Sequence, residues 1–269
     1  MGVEILFVGG GNMASAIIGG LAKQGRAAAS VGVIDPSAES RQRLAKTGLV
    51  TFEKPDPATA SARLVVWAVK PQTFRDAALD NRFHLRRALH LSVAAGVRSD
   101  AMAHWLGTER IVRAMPNTPA LIGQGITGLF ARPAVSDDDR IAVNQLLQAT
   151  GELMWVADEA LLDAVTALSG SGPAYVMYFI EAMVAAGVDM GFSAADAQRL
   201  AVATFRGASQ LVAQSDEPPE ILRGRVTSKG GTTHAAITSM EQDQVKLLFE
   251  RAIHAARQRA KELGGEYGA

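Results

Sequence analysis

The chain has 269 residues, 27 lysines and arginines against 27 aspartates and glutamates, and no cysteine. That length accommodates two domains, and the balanced charge provides no field to draw in nucleic acid or an anionic membrane surface, which leaves a small molecule as the expected partner. The lack of cysteine excludes disulfides, thiolate nucleophiles and cysteine-ligated metals, in keeping with a cytoplasmic home.

The first residues run straight into a short apolar strand pattern, Ile5 to Val8, with no basic leader or cleavable apolar region before it. Gly2 is no myristoylation signal, because Leu6 stands where that signal wants Ser or Thr. Gly9-Gly10-Gly11-Asn12-Met13-Ala14 follows and opens a small-residue helix. A G-x-G-x-x-A pattern between a strand and a helix is the order that a dinucleotide fingerprint requires. The first glycine makes the turn, the second lets pyrophosphate approach, and Ala14 packs helix closely on strand. Asn12 and Met13 then lie at the helix N-terminus, beside the phosphates.

A second strand, Ser30 to Ile34, ends at Asp35-Pro36-Ser37. An acidic residue there hydrogen-bonds the adenine ribose and favours NAD, whereas Ser37, Arg41 and Arg43 suit the 2′-phosphate of NADP. A third reading makes Ser37 only a helix cap and leaves both arginines in solvent.

Leu64 to Val69 is a continuous apolar run, as in a strand buried on both faces of a parallel sheet. Ligands bind beyond the carboxyl ends of such strands, so Ala68, Val69, Lys70 and Pro71 are expected at the cofactor, chiefly through the main chain. His90 to Gly96 and Arg110 to Met115 repeat the pattern, the second passing into Pro116-Asn117-Thr118-Pro119. Asn117 is suited to orient the nicotinamide amide or a ribose, and equally suited to form the turn. Ser136 followed by Asp137, Asp138 and Asp139 is read as a capped helix start rather than a metal site. The five histidines have no paired spacing, so no metal is expected.

After a last strand candidate, Gly151 to Val156, alanine-rich helical patterns take over. The expected architecture is an α/β, Rossmann-like dinucleotide-binding domain over 1–157 and an all-α domain over 158–269. Ser169-Gly170-Ser171-Gly172-Pro173 interrupts a helical pattern, which calls for a packing or ligand reason such as approach to the nicotinamide or substrate. Ala174 to Val188 is expected to be a core helix, interrupted by Glu181 and too short for a membrane span. Ser193 caps a helix running to about Gln214, with Leu200, Ala201, Ala203, Thr204 and Leu211 as its packing face. A last helix is expected to stop at Gly264-Gly265 with a frayed tail. So much apolar helix is hard to bury alone, and the second half is expected to pack against a copy of itself.

Within that half, Val226 to Ile237 brings together hydroxyls, Gly230-Gly231 and a helix start near Thr232. The free N–H groups of a helix's first turn attract an anion, so this stretch suits a small carboxylate; the bland reading is a capped loop.

With these residues in view, the sequence closely resembles the pyrroline-5-carboxylate reductase family through most of its length. The resemblance rests on Phe7 to Met13, Ala68 to Pro71, Ser92 to Val97, Arg113 to Pro119, Leu168 to Tyr175 and Pro219 to Glu241. It implies reduction of 1-pyrroline-5-carboxylate to L-proline with NADPH or NADH, the last step of proline biosynthesis. It also implies a helical domain that interlocks two subunits, often in a ring of dimers. Carried over by position, it places pyrophosphate on Gly9 to Met13 and the nicotinamide half near Ala68 to Pro71 and Asn117. The substrate carboxylate falls on Ser228, Gly231, Thr232 and Thr233, to which our own reading of the stretch adds Gly230; because these motifs offer hydroxyls and no strong acid, Thr233 and Ser228 are expected to be the catalytic groups. Asp35-Pro36-Ser37 departs from the Asn-Arg-Ser or Ser-Ser-Pro of many NADPH-using members, so NADPH and NADH both stand. A 3-hydroxyacid-dehydrogenase reading lacks its lysine, since Val176 holds the approximate place. The residues also suit a regulator that binds a dinucleotide without turning it over, or a reductase of a related six-membered cyclic imine.

Overall fold

The computed structural model describes residues 2–268. Its first element, β1 (Ile5–Val8), is paired on both sides by parallel strands: β2 (Val31–Ile34), with Phe7 opposite Val33, and β4 (Leu64–Trp67), with Phe7 opposite Val66. Beyond these lie β3 (Val50–Phe52) on one side and β5 (Leu89–Ser92), β6 (Ile111–Met115), β7 (Gly125–Ala131) and β8 (Gly151–Trp155) on the other. The sheet order is β3-β2-β1-β4-β5-β6-β7-β8, and only the β6–β7 pair is antiparallel. The chain leaves β1 toward β2 and later returns to the other side of β1 at β4. That reversal opens the crevice in which such sheets bind ligands, at the carboxyl ends of β1 and β4.

Successive residues of a strand point to opposite faces, so the continuous apolar runs supply two cores at once. Phe7, Val33, Val66 and Leu91 pack on one face with Ala14, Ile17 and Leu21 of α1 (Asn12–Lys23) and with Val143 and Leu147 of α5 (Asp137–Leu147). Leu6, Val65 and Trp67 pack on the other with Phe74 and Ala78 of α3 (Pro71–Leu85) and Met102 and Leu106 of α4 (Ser99–Leu106). Between β2 and β3 lies the short α2 (Ala38–Ala45). Ser136 and Asp139 form a capping box at the start of α5, as the acidic run led us to expect.

The chain divides into two compact units. One comprises the chain through Ser171 together with everything from Ala256 on; the other runs from Gly172 to Ala255. The sequence placed a boundary at 157/158, and charge pairing explains the difference. Glu159 accepts hydrogen bonds from the Ser99 N–H and hydroxyl and pairs with Arg113 on β6, while Asp163 of α6 (Leu161–Val165) pairs with Arg98 at 2.8 Å. These ion pairs bind α6 to the sheet-containing unit.

A π-turn, Thr166–Gly170, follows α6, its wider loop closed by the Ser171 N–H donating to the Thr166 carbonyl at 2.8 Å. A Cβ on Gly170 would lie 2.5 Å from the terminal methyl of Met115, which gives this glycine a packing reason.

The second unit holds α7 (Gly172–Asp189), α8 (Ala194–Ala213), α9 (Pro219–Arg225), α10 (Thr232–Gln242) and the first part of α11 (Val245–Tyr267). Three expectations need correction. First, α7 is not a core helix within one chain, because Gly187 is its sole buried residue; nor is the helix too short for a span, since the continuous helical stretch Leu161–Asp189 is by length and composition long and apolar enough to cross a membrane, with 6% of its apolar part buried. Second, α8 buries only Ala197, which lies against Gly187, and Ala201, while Leu200 and Leu211 of the expected face are exposed. Third, α11 does not stop at Gly264. Its helix continues to Tyr267, whose hydroxyl accepts a hydrogen bond from Gln72 at 2.9 Å, and Gly264 lets the Arg98 guanidinium lie where a Cβ would be.

Candidate active site

The cradle at the end of β1 follows from three residues. Gly9 has φ +95°, a conformation open to glycine, and a Cβ there would sit 2.6 Å from the Ala68 carbonyl oxygen. Gly11 caps α1 in an extended conformation, and a Cβ on it would meet nothing within 4 Å. Ala14 is fully buried against the sheet. These correspond to the tight turn, the open approach for a pyrophosphate and the close helix-on-strand contact of the fingerprint. No side chain caps α1, so the first-turn N–H groups after Gly11, beginning with Asn12 and Met13, remain for an anion. The loop fits a dinucleotide.

At the end of β2, Asp35 reaches back to this loop: its Oδ2 accepts from the Gly10 N–H at 2.8 Å and its Oδ1 from the Ser37 N–H at 2.9 Å. Ser37 caps α2 through its hydroxyl, accepting from the Ser40 N–H. Neither arginine is left in solvent without partners. Arg41 donates to the Asp35 and Pro36 carbonyls and pairs with Glu53 at 3.0 Å, and Arg43 donates to the Gly10 carbonyl at 2.8 Å.

Across the crevice, Ala68 and Val69 are half-buried at the exit of β4, and exposed Lys70 starts α3, with Pro71 as its first helical residue. Proline suits that position because its missing N–H would have had no partner there. The Asn117 side-chain oxygen accepts from the Ile126 N–H at 3.0 Å and so ties the Pro116–Pro119 loop to the start of β7. The turn-forming role is thus filled, and chiefly the amide N–H groups remain to meet a ligand.

In the second unit, Ser228 to Gly231 forms a turn closed by the Gly231 N–H donating to the Ser228 carbonyl at 3.0 Å, with Gly230 at φ +79° in its third position. Gly231 is the cap of α10, and no side chain satisfies that helix's first turn. The helix begins at Thr232 as expected. Ser228, Thr232 and Thr233 are all exposed or half-exposed within the single chain. Hydroxyls beside free helix N–H groups make a donor-rich site for a carboxylate.

Two buried polar clusters beneath the first unit's strand ends were not singled out from the sequence. Burial pushes Arg113 below the ordinary arginine value, while its pairing with Glu159 opposes that shift. For Glu159, burial pulls upward, but the Arg113 charge and the Ser99 hydrogen bonds outweigh it and hold the carboxyl below its usual range. Behind Ala68, the Trp67 indole N–H donates to Nδ1 of His90 at 3.0 Å, so the His90 proton lies on Nε2 and faces the Leu85 carbonyl at 3.1 Å. Burial lowers the His90 pKa to about 4, and the Arg110 charge acts in the same direction. Arg113 stood within a recognised motif, but its partner lies 46 residues away and no local pattern links them. Among the described residues no group of acidic and histidine side chains forms a metal site.

Comparison with known proteins gives this geometry its context. Residues 159–263 match a family model described as pyrroline-5-carboxylate reductase dimerisation, and residues 4–96 match one described as NADP oxidoreductase, coenzyme F420-dependent. The chain is 43% identical over 268 residues to the pyrroline-5-carboxylate reductase of Pseudomonas aeruginosa, with 98% of each chain covered. A solved structure of a pyrroline-5-carboxylate reductase from Coxiella burnetii superposes with a TM-score of 0.90 at 36% identity, covering 98% of this chain and 99% of that one. The Plasmodium falciparum pyrroline carboxylate reductase, solved with NADP bound, gives 0.87 at 29% identity, covering 97% of this chain and 98% of its own. Near-complete coverage at this identity, on a chain with an open glycine cradle and a second helix start able to take an anion, makes it a member of the pyrroline-5-carboxylate reductase family.

Proposed function

We infer that this chain reduces the C=N bond of 1-pyrroline-5-carboxylate to give L-proline. A nicotinamide dinucleotide, when bound, supplies the hydride. Gly9, Gly10, Gly11, Asn12 and Met13 hold its pyrophosphate, Asp35, Ser37 and Arg41 surround the adenine ribose, and Ala68 to Pro71 with Asn117 serve the nicotinamide half. The observation that carries the substrate assignment is the start of α10. An uncapped helix N-terminus behind a Gly230 turn, with three solvent-accessible hydroxyls, is built for a small carboxylate and supplies no strong acid.

That absence fits the chemistry. A cyclic imine can arrive already protonated, so positioning can supply most of the rate: near-attack geometry is worth roughly 7–11 kcal/mol, against about 10²- to 10⁴-fold for one general acid. Ser228, Gly230, Gly231 and Thr232 pin the carboxylate, and the Thr233 hydroxyl hydrogen-bonds the ring nitrogen or the carboxylate. Thr233→Ala therefore lowers kcat/KM by at least about tenfold with the dinucleotide Kd unchanged. An unaltered kcat/KM removes Thr233 from the mechanism.

The part from 158 on is read as the substrate-binding and self-association domain, with 1–157 as the dinucleotide domain. Met177, Tyr178 and Val188 on α7 and Leu200 and Leu211 on α8 are exposed within one chain, which supports a homodimer in which a second copy covers these helices. A ring of dimers is the larger assembly proposed. The neutral charge balance and absence of cysteine suit a cytoplasmic enzyme without nucleic-acid or membrane partners. Light scattering that returns the mass of a single chain at micromolar concentration overturns the dimer.

A further inference from the structure

The end of β2 carries an answer to which nicotinamide dinucleotide is taken. We propose that Asp35 makes this enzyme select NADH over NADPH, an inference that rests on the reductase reading and deepens it.

The two dinucleotides differ only at the adenine ribose, where NADH has a 2′-hydroxyl and NADPH a 2′-phosphate. In an open α/β sheet that ribose lies at the end of the second strand, the place of Asp35. Both carboxylate oxygens are anchored, one by the Gly10 N–H at 2.8 Å and the other by the Ser37 N–H at 2.9 Å. Gly10 belongs to the loop that receives the pyrophosphate, so the acid cannot turn away without giving up a bond to the cradle itself. Each oxygen keeps a lone pair, and a ribose hydroxyl can donate to it. A 2′-phosphate has acceptor oxygens and carries about −1.5 to −2 charges near neutral pH, as other phosphomonoesters do. It would set acceptor against acceptor and like charge against like.

Accommodating that phosphate would call for cations aimed at it with unspent donors, and both arginines that α2 presents at this edge are engaged. Arg41 gives one nitrogen to the Asp35 and Pro36 carbonyls, both at 2.8 Å, and another to Glu53 at 3.0 Å, which brings a second acid to this edge. Arg43 donates to the Gly10 carbonyl and, at 3.4 Å, to the Ser15 hydroxyl. The Ser37 hydroxyl is held as the α2 cap. Directly after the acid stands Pro36, which has no donor at all.

The test is equilibrium binding of NADH and NADPH to the full chain without substrate, read by nicotinamide fluorescence. NADH is expected to bind at least about tenfold more tightly, the response to a difference of one well-placed like-charge contact. Asp35→Asn replaces one acceptor by a donor and narrows the ratio to within about threefold. Pro36→Arg leaves the carboxylate in place at an exposed position, adds a guanidinium and shifts the ratio in the same direction, so the proposal stays testable if the Asn variant does not fold. Wild-type protein that binds NADPH as tightly as NADH overturns the proposal, and so does a ratio that neither variant moves. A parallel assay with pyrroline-5-carboxylate separates the two readings. Tighter NADH binding without turnover refutes the reductase reading and supports Asp35 as the selector, whereas turnover with NADPH preferred does the opposite.

Discussion

Two helix starts in this chain use the same device and rest on different supports. Both α1 and α10 have a glycine cap, a preceding glycine at positive φ and no side chain to satisfy the first turn. Behind α1 stand Ala14, Ile17 and Leu21 buried against the sheet; α10 has no buried residue at all. One anion site is therefore held rigid by the core of its own chain. The other lacks such a core, and in the dimer proposed above it would be steadied by a second copy, because a loosely held donor set loses much of its advantage when it must be ordered on binding.

The largest expected effect tests that contrast directly. Met177→Glu combined with Leu200→Glu places two charges on the exposed apolar faces of α7 and α8. The double variant is expected to sediment as a monomer and to lose at least about 100-fold in turnover, while dinucleotide affinity stays within about threefold of wild type. Full turnover in a demonstrated monomer would break the comparison.

The next effect concerns how differently charges are held in the two regions. Glu159 pairs with Arg113, which is 7% exposed at its side chain, whereas Glu217 and Arg225 pair on the surface with 39% and 64% exposed. Removing one partner of a buried pair leaves the other charge uncompensated, so Glu159→Ala is expected to cost about 3–5 kcal/mol in chemical denaturation. Glu217→Ala is expected to cost no more than about 1 kcal/mol, with 1 M salt erasing most of it. Equal losses would show that burial does not separate them.

Acid sharpens the same contrast. Burial, helped by the Arg110 charge, lowers the His90 pKa from 6.5 to about 4, and a proton on Nδ1 would face the Trp67 N–H. The unfolded chain therefore binds more protons than the folded one between these values. The stabilisation is complete above about pH 6.5 and is lost as pH falls toward 4, by about 3 kcal/mol in all. Glu159 and Asp139, whose folded pKa values are depressed, lose their contributions only below the ordinary carboxylate range, outside the pH 6.5–5 window in which the His90 contribution begins to fall. His90→Leu should start less stable, with the Trp67 N–H unpaired, and show a flatter curve across that window. A wild-type curve already flat there would remove the histidine from the account.

The same division governs how much could be read from the sequence. The cradle, the Asp35 strand exit, the Ser136 cap and the start of α10 at Thr232 are local: residue type and spacing within one turn or strand decide them. The strand β3 is only three residues long, and β7 carries two glycines, so neither showed the apolar run that marked β1 and β4. The membership of α6 in the sheet-containing unit depends on Arg98 and Arg113, which are 65 and 46 residues from their partners. Periodicity identifies an apolar helix such as α7 but does not say whether its own chain or another covers it. Small residues at 169–172 and 264–265 read as helix breaks, although Gly170 and Gly264 are small because Met115 and Arg98 press against them.

The smallest effect lies at the end of α11, where an expected frayed tail is instead part of the sheet-containing unit. Tyr267 packs over Gly96, its ring within 3.0 Å of where a Cβ would stand, and its hydroxyl accepts from Gln72, one residue beyond Pro71. Tyr267→Phe keeps the ring and removes only that acceptor, on an exposed pair, so the cost is expected at about 0.5–1 kcal/mol. Hydrogen exchange should place the loss in the last turn of α11 and the first turn of α3, with α10 unchanged. Because Pro71 begins the helix beside the proposed nicotinamide half, a modest rise in dinucleotide Kd should accompany it, with Thr233-dependent steps untouched. Exchange in the last turn that is already fast in the wild type would mean that the tail frays after all and that α11 ends its structural role at the glycines.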